Sequence, residues 1–412
     1  MGKLFHVSAL QKDINSIFKF SFKTTFKKFS NMANLITTQN VITSTLFQGL
    51  KDLPTPLEQS QCVLHKHELL IFGGAYESAC YSYDILKNEY KFICKYPSDV
   101  TLFGHCVVKL VDNNKDSNEI TLLSFGGRDN HTLTMKYVSV WSDDNDETNK
   151  LKNYNRWIPF TDNRNHPIHI GEDENNYSGV RAVIGGSNNH LLFITYYPWE
   201  ISVFNLNTFQ LIKHDTFPTN GYFIRYHCFV LKSENGQGQE MMKTNKRIHK
   251  MLLFCQKTGL SIEYDEDNNT FQYHQLPVSK DIASFYQYAY VYINDIILFF
   301  GGHYYQNNNN IVSKSVHKYS IQEKKWITFK DILPIRLSKC YGILNKDSDH
   351  IHVIGGSSEH YVPIHMKINV NELIEPLQLS KNEIKFVIQH WIRILKIRLG
   401  WIDDFDKIII KY

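Results

Sequence analysis

One short phrase, an apolar run that closes on two glycines, occurs four times in the chain. Its glycine pairs are Gly73 and Gly74, Gly126 and Gly127, Gly301 and Gly302, and Gly355 and Gly356. The first two pairs lie 53 residues apart and the last two lie 54 apart. A constant period of about 50 residues is typical of repeat proteins, whose units bury their apolar faces by stacking on one another. The chain is therefore predicted to be a repeat protein.

Aromatic residues also recur at a fixed place in these units. Three pairs lie seven residues apart: Tyr83 and Tyr90, Tyr264 and Phe271, Tyr319 and Trp326. Together with the glycine phrase, this pattern resembles the kelch-repeat β-propeller family. The resemblance implies an all-β chain, in which each unit is a blade of four antiparallel strands and the blades close into a ring around an axis.

Two further units are predicted where the glycine phrase is missing. The second and third glycine pairs are separated by 175 residues, which is room for two blades with insertions. In these blades other residues stand at the glycine position: Thr195 and Tyr196 in the first, Cys255 and Gln256 in the second. Since such residues tolerate a positive φ poorly, both loops are expected to take another shape. Gly185 and Gly186 precede an apolar run and are predicted to form a turn between the first two strands. The total is six blades over residues 43–375.

The ring is predicted to close through a strand at the N-terminal end. The sixth unit lacks its outer aromatic strand, and the phrase LFQGLKDLP, which contains Phe47, matches WITFKDILP around Trp326. Residues near Leu46 to Leu50 are therefore expected to supply the missing strand, which leaves few strand edges exposed.

Two flanking segments fall outside the propeller. Residues 1–42 hold six Lys and one Asp and are predicted to form a weakly ordered, basic, aromatic tail, with contact to a membrane surface as the less favoured alternative. Residues 376–412 contain an apolar stripe at helical spacing: Ile384, Val387, Ile388, Trp391, Ile392 and Leu395. This helix, capped by Ser380 and Gly400, is expected to pack on the propeller, on a second copy of the chain or on a partner.

Composition restricts the class of protein. The chain is 42% hydrophobic with a net charge of +4, which favours a globular protein without a strong field for nucleic acid. Four of its seven cysteines, Cys62, Cys106, Cys228 and Cys340, fall at one repeat position, where other units carry Ala182 and Ala289. This pattern predicts a packing site for small residues, with reduced thiols and a cytoplasmic location.

The loops that follow the glycine pairs are the candidate functional region. In a four-stranded blade, these loops and the linkers between blades share one face, which kelch relatives commonly use for binding. The candidate partner-binding residues are Tyr76, Arg128, His131, Trp199, His303, Tyr304, Tyr305, His360 and Tyr361. Tyr, Trp, Arg and His suit a partner surface, although several of them could instead pack between loops. The linker from Asp162 to Ser178 is a further candidate contact arm or lid.

No recognised catalytic motif is present. Asp265, Asp267 and Asn269 imitate the start of an EF-hand loop, but Thr270 stands where that loop needs Gly. No metal, cofactor or catalytic residue is therefore predicted. The expected function is a non-catalytic scaffold that binds a protein or peptide. The alternatives are the substrate-recognition subunit of a ubiquitin ligase, for which no BTB or F-box module is evident, a cytoskeletal binder, and a galactose-oxidase-like copper enzyme.

Overall fold

The computed structural model describes residues 46–111, 118–141, 153–171, 175–219, 221–232, 247–307, 309–357 and 362–374. Both predicted flanking segments, residues 1–42 and 376–412, lie entirely outside these ranges, as do His360 and Tyr361. Two units are distinguished along the chain, residues 1–367 and 368–412. The first carries six blades of four antiparallel strands, which confirms the predicted six-bladed β-propeller.

The first three blades follow one another in sequence after β1 (Gln48–Gly49). Blade 1 contains β2 (Gln61–His65), β3 (Glu68–Gly74), β4 (Glu77–Asp84) and β5 (Glu89–Lys95). Blade 2 contains β6 (His105–Lys109), β7 (Glu119–Gly126), β8 (His131–Val138) and β9 (Ile158–Pro159). Blade 3 contains β10 (Arg181–Gly185), β11 (Leu191–Tyr196), β12 (Glu200–Asn205) and β13 (Gln210–Thr216).

The remaining blades include one additional hairpin. Blade 4 contains β14 (Cys228–Leu231), β15 (Ile248–Cys255), β16 (Thr258–Asp265) and β17 (Thr270–Gln275). Blade 5 contains β18 (Ala289–Ile293), β19 (Ile296–Phe300), β22 (Val316–Ser320) and β23 (Lys325–Phe329), and its loop holds the hairpin of β20 (His303–Gln306) and β21 (Asn309–Val312). Blade 6 contains β24 (Tyr341–Asn345), β25 (His350–Ile354), β26 (His365–Asn369) and β1.

The second unit is described only over residues 368–374. These residues form the end of β26 and helix α1 (Asn371–Ile374). The Asn371 amide donates to the Asn369 side chain at 2.9 Å, which caps this short turn of helix. In the described part of the chain, no helix is both long and apolar enough to cross a membrane.

The hydrophobic core lies between blades. One cluster of buried side chains joins Leu70 and Phe72 of blade 1 to Leu122 and Met135 of blade 2. Similar clusters join blades 2 and 3, 3 and 4, 4 and 5, and 6 and 1. Each fully buried Leu or Phe contributes roughly 1.5–3 kcal/mol. Because each cluster needs both neighbours, a blade alone would leave its apolar faces in water.

The cysteine position on the inner strands is a packing site, as predicted. Cys62, Cys106 and Cys228 are buried and Cys340 is partly buried, and all four are free thiols. Burial raises the pKa of Cys106 to about 11. These cysteines therefore behave as small apolar side chains.

The loops at the glycine pairs differ in shape from those at the residues that replace them, but the expectation that the replacing residues avoid a positive φ is wrong for Gln256. Gly301 has a φ of +66°, and a Cβ there would lie 2.0 Å from the Leu337 carbonyl oxygen of the linker to blade 6. The predicted turn between the first two strands is confirmed: Gly185 ends β10, and Gly186, with a φ of +83°, begins the turn to β11. Gln256, however, adopts a φ of +49° although it is not a glycine. A two-residue turn joins β15 to β16 there, and its pairing outweighs the modest cost of that conformation.

The predicted closure by the N-terminal strand is confirmed. In β1, Gln48 pairs with Lys367 and Gly49 with Met366, and the Leu50 amide donates to the His365 carbonyl at 2.9 Å. Phe47 is 7% exposed and packs edge-on against Phe300 of blade 5.

Removing this closure should destabilise the propeller. A chain that starts at Pro54 loses β1 together with the buried side chains of Phe47 and Leu53, so we expect a loss on the order of 3–6 kcal/mol in the free energy of unfolding. Denaturant titration of the full chain and of the chain from Pro54 measures this loss. Phe47→Ala should also cost about 3 kcal/mol, whereas Phe92→Ala, at a 54% exposed position of β5, serves as the near-neutral control. If the chain from Pro54 unfolds at the same denaturant concentration as the full chain, β1 does not close the ring.

Buried histidines lie between strands and between blades. His352 Nδ1 lies 2.9 Å from His365 Nε2, and the hydroxyl of Tyr90 in blade 1 contacts His365 Nδ1. Burial lowers the pKa of His352 to about 4 and holds that of His365 well below its usual range. Burial likewise lowers the pKa of His105 to about 3 and of His317 to about 4.

These shifts predict that the protein loses stability in acid. The unfolded chain protonates its histidines near pH 6.5 while the native ones stay neutral, so the stability present above pH 6.5 is lost as the pH falls towards 4. At pH 5, His352 alone should lower the free energy of unfolding by about 2 kcal/mol relative to its value well above pH 6.5. We expect His352→Gln to flatten the dependence of the melting temperature on pH between 7 and 5, and the exposed-site variant His274→Gln to leave it unchanged. Equal slopes in all three proteins would contradict this assignment.

Candidate functional site

Six residues with positive φ surround the propeller axis where the linkers enter the inner strands. We call this set the axial ring; its members are Gln59, Gly104, Gly179, Tyr226, Gln287 and Lys339, one from each blade. The Gln59 amide donates to the Lys339 carbonyl at 2.8 Å, and the Lys339 amide donates to the Gln287 carbonyl at 2.7 Å. On the other side of the ring, the Tyr226 amide donates to Gly179 and the Gly179 amide to Gly104, both at 2.8 Å. Backbone hydrogen bonds thus join neighbouring blades beside the axis.

The side chain of Tyr226 lies across this ring. It is 4% exposed, and its hydroxyl lies 3.1 Å from Ser178 Oγ. A Cβ at Gly104 would lie 2.7 Å from the Tyr226 hydroxyl, and one at Gly179 would lie 2.8 Å from its ring. Blades 2 and 3 therefore carry glycine in the axial ring because the phenol from blade 4 occupies the space.

Arg181, at the start of β10, lies next to Tyr226. Its guanidinium carbon is 6.0 Å from the centre of the Tyr226 ring, and Nη1 donates to the Val180 carbonyl at 2.8 Å. Burial, followed by the Arg181 charge, holds the pKa of His227 well below its usual range. Burial raises the pKa of Tyr290 in blade 5, and the Arg181 charge opposes that rise. No described carboxylate forms an ion pair with Arg181, so its charge is not neutralised by this part of the chain.

Polar atoms cluster on the opposite side of the ring. Lys339 Nζ donates to Glu58 Oε2 at 2.7 Å. Three buried oxygen atoms nearby have no hydrogen-bond partner among the described residues: Glu58 Oε1, Gln59 Oε1 and Gln287 Oε1. Buried polar atoms are normally paired with protein, water or a ligand, so this group favours a hydrated or ligand-binding region.

The structure separates the predicted contact residues into exposed and buried groups. Tyr76 and Tyr305 are 63% and 65% exposed, Arg128 is exposed, and Trp199 and Tyr304 are partly buried. His131 and His303 are only 8% and 2% exposed. His131 Nε2 lies 2.8 Å from Ser124 Oγ, and His303 packs on Tyr286. As they stand, these two histidines support the loops and offer little surface to a partner.

The linker from Asp162 to Ser178 is anchored to the core near Ile170 and Tyr177, whereas residues 163–167 are exposed. Ile170 is 1% exposed, and its amide donates to Thr132 Oγ1 at 3.0 Å. Tyr177 is 3% exposed and packs on Tyr196 of blade 3. Residues 172–174 lie outside the described ranges. The role of this linker as a contact arm stays a prediction.

Several residues of this region were not found from the sequence. The members of the axial ring share a position one or two residues before the inner strand, but their residue types are mixed: two Gly, two Gln, one Tyr and one Lys. Gly104 and Gly179 at that position were the available signal. Among the described residues, no three His, Cys, Asp or Glu side chains are grouped so that they could hold a metal ion.

Comparison with known proteins adds information on the fold. No family model matches the chain, and no curated protein matches it. Among solved structures, one titled "Structure of YjhT" matches with a TM-score of 0.53 and 15% identity, covering 78% of this chain and 97% of that chain. The similarity is one of fold. The kelch family is not assigned by these comparisons and remains a resemblance carried by the glycine and aromatic motifs.

The packing of Tyr226 against the axial ring can be tested by adding a single methyl group. Gly104→Ala places a Cβ 2.5 Å from the Gly179 nitrogen and against Tyr226, at a φ of +72°. Gly221→Ala is a matched control, because its φ is +83° but nothing lies within 4 Å. We expect the control to cost about 1–2 kcal/mol through backbone strain alone, and Gly104→Ala to cost about 1–3 kcal/mol more through overpacking. Chemical denaturation measures both, and equal losses would show that the site is not tightly packed.

Proposed function

We propose that this protein is a non-catalytic scaffold that binds a protein or peptide partner on its loop face. The loop face comprises the loops that join the second and third strands of each blade and the linkers between blades. The observation that carries the proposal is the exposure of aromatic side chains there: Tyr76 at 63%, Phe223 at 48% and Tyr305 at 65%.

These side chains are suited to binding for two physical reasons. Tyr and Phe bury a large area at the cost of few rotatable bonds, which is why aromatic residues dominate the energetics of interfaces. The loops are also held in place before any partner arrives. The Tyr76 amide donates to the Leu102 carbonyl at 2.8 Å, and Tyr305 lies in β20, which pairs with β21. Preorganised loops lose less conformational entropy on binding.

The opposite face has a different character. Its turns are polar, as at residues 266–269 and 346–349, and the side chain before each turn accepts a hydrogen bond from a backbone amide within it. In the turn at 266–269, for example, Asp265 Oδ1 accepts from the Asp267 amide at 3.1 Å. Leu86, at 80% exposure, and Val111, at 55%, are exposed apolar side chains on this face, and both are aliphatic. The loop face is therefore the better candidate for partner contact.

Site-specific photocrosslinking tests the proposed face. A benzoylphenylalanine placed at Tyr76 or Tyr305 of the full chain should give a covalent adduct with a partner protein in cells that make this protein. The same group at Leu86 provides a control on the opposite face with equal or greater exposure. Adducts from Leu86 alone would place the partner on the other face.

A substitution experiment measures what the aromatic side chains contribute. We expect Tyr76→Ser, Phe223→Ser and Tyr305→Ser together to weaken capture of the crosslinked partner by at least about tenfold, equivalent to about 1.4 kcal/mol. The control Phe92→Ser, on outer strand β5, should retain capture. Melting temperatures of the two variants should stay close to that of the parent, since all four positions are exposed. Undiminished capture by the triple variant would remove the basis for this proposal.

A further inference from the structure

A cluster of aromatic and basic side chains lies on the loop face where blades 3 and 4 meet. We call it the aromatic-basic patch; its members are Tyr197, Trp199, Tyr222, Phe223, Arg225 and Lys257. The Phe223 ring stacks on Trp199 with centroids 5.6 Å apart and an angle of 10°, and it contacts Tyr197 at 5.0 Å. The patch therefore forms one continuous surface.

Both cations of the patch are held over aromatic rings. The Arg225 guanidinium lies 5.2 Å from the centre of the Tyr197 ring. Lys257 Nζ lies 5.1 Å from the centre of the Tyr222 ring and donates to its hydroxyl at 3.0 Å. A ring face orients a cation but does not neutralise it. No described carboxylate forms an ion pair with either side chain, and both are exposed.

The backbone under the patch is fixed. The Ile224 amide donates to the Pro198 carbonyl at 2.8 Å, and the Phe217 amide donates to the Trp199 carbonyl at 2.8 Å. Ile224 is fully buried and Phe217 is 4% exposed, so each anchors its loop to the core. The backbone that carries Phe223 and Arg225 is therefore in position before any partner binds.

From this arrangement we propose that the aromatic-basic patch binds an acidic peptide segment of a partner protein, in which an apolar side chain lies between carboxylates. The carboxylates would accept charge-assisted hydrogen bonds from Arg225 and Lys257. The apolar side chain would cover Phe223, which is 48% exposed. This inference rests on the proposed function and specifies the chemistry of the partner.

A nucleic acid is the rival occupant, because it also offers anions and stacking surfaces. Affinity for nucleic acid comes largely from many phosphate contacts. The patch offers two cations, and the loop face also carries carboxylates, such as the exposed Glu77 and Asp129. A peptide with few charges therefore fits this surface better than a phosphate backbone does.

Selection from a peptide library tests the proposal on the full chain. Phage that display random dodecapeptides are panned on the parent protein and on the double variant Arg225→Glu, Lys257→Glu. We expect peptides enriched on the parent to carry an excess of Asp and Glu over the unselected library, and this excess to disappear on the double variant. The matched control is Lys87→Glu, Lys91→Glu, because these exposed lysines lie 5.1 and 4.7 Å from the Trp141 ring and are remote from the loop face.

The most enriched peptide is then synthesised with a fluorescein label and titrated by anisotropy. Its dissociation constant should rise at least tenfold for Arg225→Glu, Lys257→Glu and for Phe223→Ser, and stay within twofold for Lys87→Glu, Lys91→Glu. Circular dichroism melting of each variant shows whether the propeller is intact. A labelled single-stranded twelve-nucleotide RNA is titrated in parallel.

The outcomes separate this inference from the proposed function. Enriched peptides without an acidic excess, or an excess that persists on the double variant, overturn the patch while leaving a peptide-binding loop face in place. Failure of any peptide to enrich counts against both. RNA that binds the parent more tightly than the selected peptide, and is lost in the double variant, would assign the patch to nucleic acid instead.

Discussion

The hydrogen bonds of the axial ring are the constraint on which the loop face depends. Gln59, Tyr226 and Lys339 all adopt the left-handed conformation there, at a cost of about 1–2 kcal/mol each for residues with a Cβ. This cost is offset because the left-handed conformation lets each linker turn sharply into an inner strand while its peptide groups stay hydrogen-bonded. An unpaired buried amide would cost a similar amount or more. The ring joins neighbouring blades at their narrowest separation and so fixes the positions of the loops.

The glycine pairs form a second set of backbone contacts, between the loops and the linkers. In blade 5, the Gly302 amide donates to the Leu337 carbonyl at 2.8 Å, and in blade 6 the Gly356 amide donates to the Leu57 carbonyl at 2.6 Å. Each pair thus receives the linker that leaves its own blade, and a side chain would hold that linker away. Blade 3 has a different solution: Thr195 Oγ1 lies 2.6 Å from His227 Nε2 and donates to the Arg181 carbonyl at 3.2 Å. At the glycine position of blade 3 the contact with the linker is thus made by a side chain, and the backbone contact comes further along the loop, where the Ile224 amide donates to the Pro198 carbonyl at 2.8 Å.

Some of these contacts leave a recognisable pattern in the sequence and others do not, which determines how much of the structure could be predicted from it. The glycine phrase and the aromatic pairs report on packing that every blade shares, so the number of blades and the closure near Phe47 could be predicted. The axial ring could not, because a left-handed residue is recognisable in sequence only where it is glycine, as at Gly104, and Gln59 or Lys339 carries no such mark. His131 and His303 also follow glycine pairs, but the loop turns their side chains inward, where burial lowers the pKa of both to about 4.

Charge on the loop face follows from the same geometry. Burial holds the pKa of histidines such as His227 and His303 below its usual range, so the positive charge of this region comes from arginine and lysine side chains. Lys339 is balanced by Glu58, whereas Arg181, Arg225 and Lys257 have no carboxylate partner among the described residues. Arg181 is partly buried beside the Tyr226 ring, whereas Arg225 and Lys257 are exposed, so a partner at the surface would meet those two cations first. Because Arg225 directly precedes Tyr226 in the chain, the axial ring that holds the blades together also fixes where this cation stands beside the exposed aromatic rings.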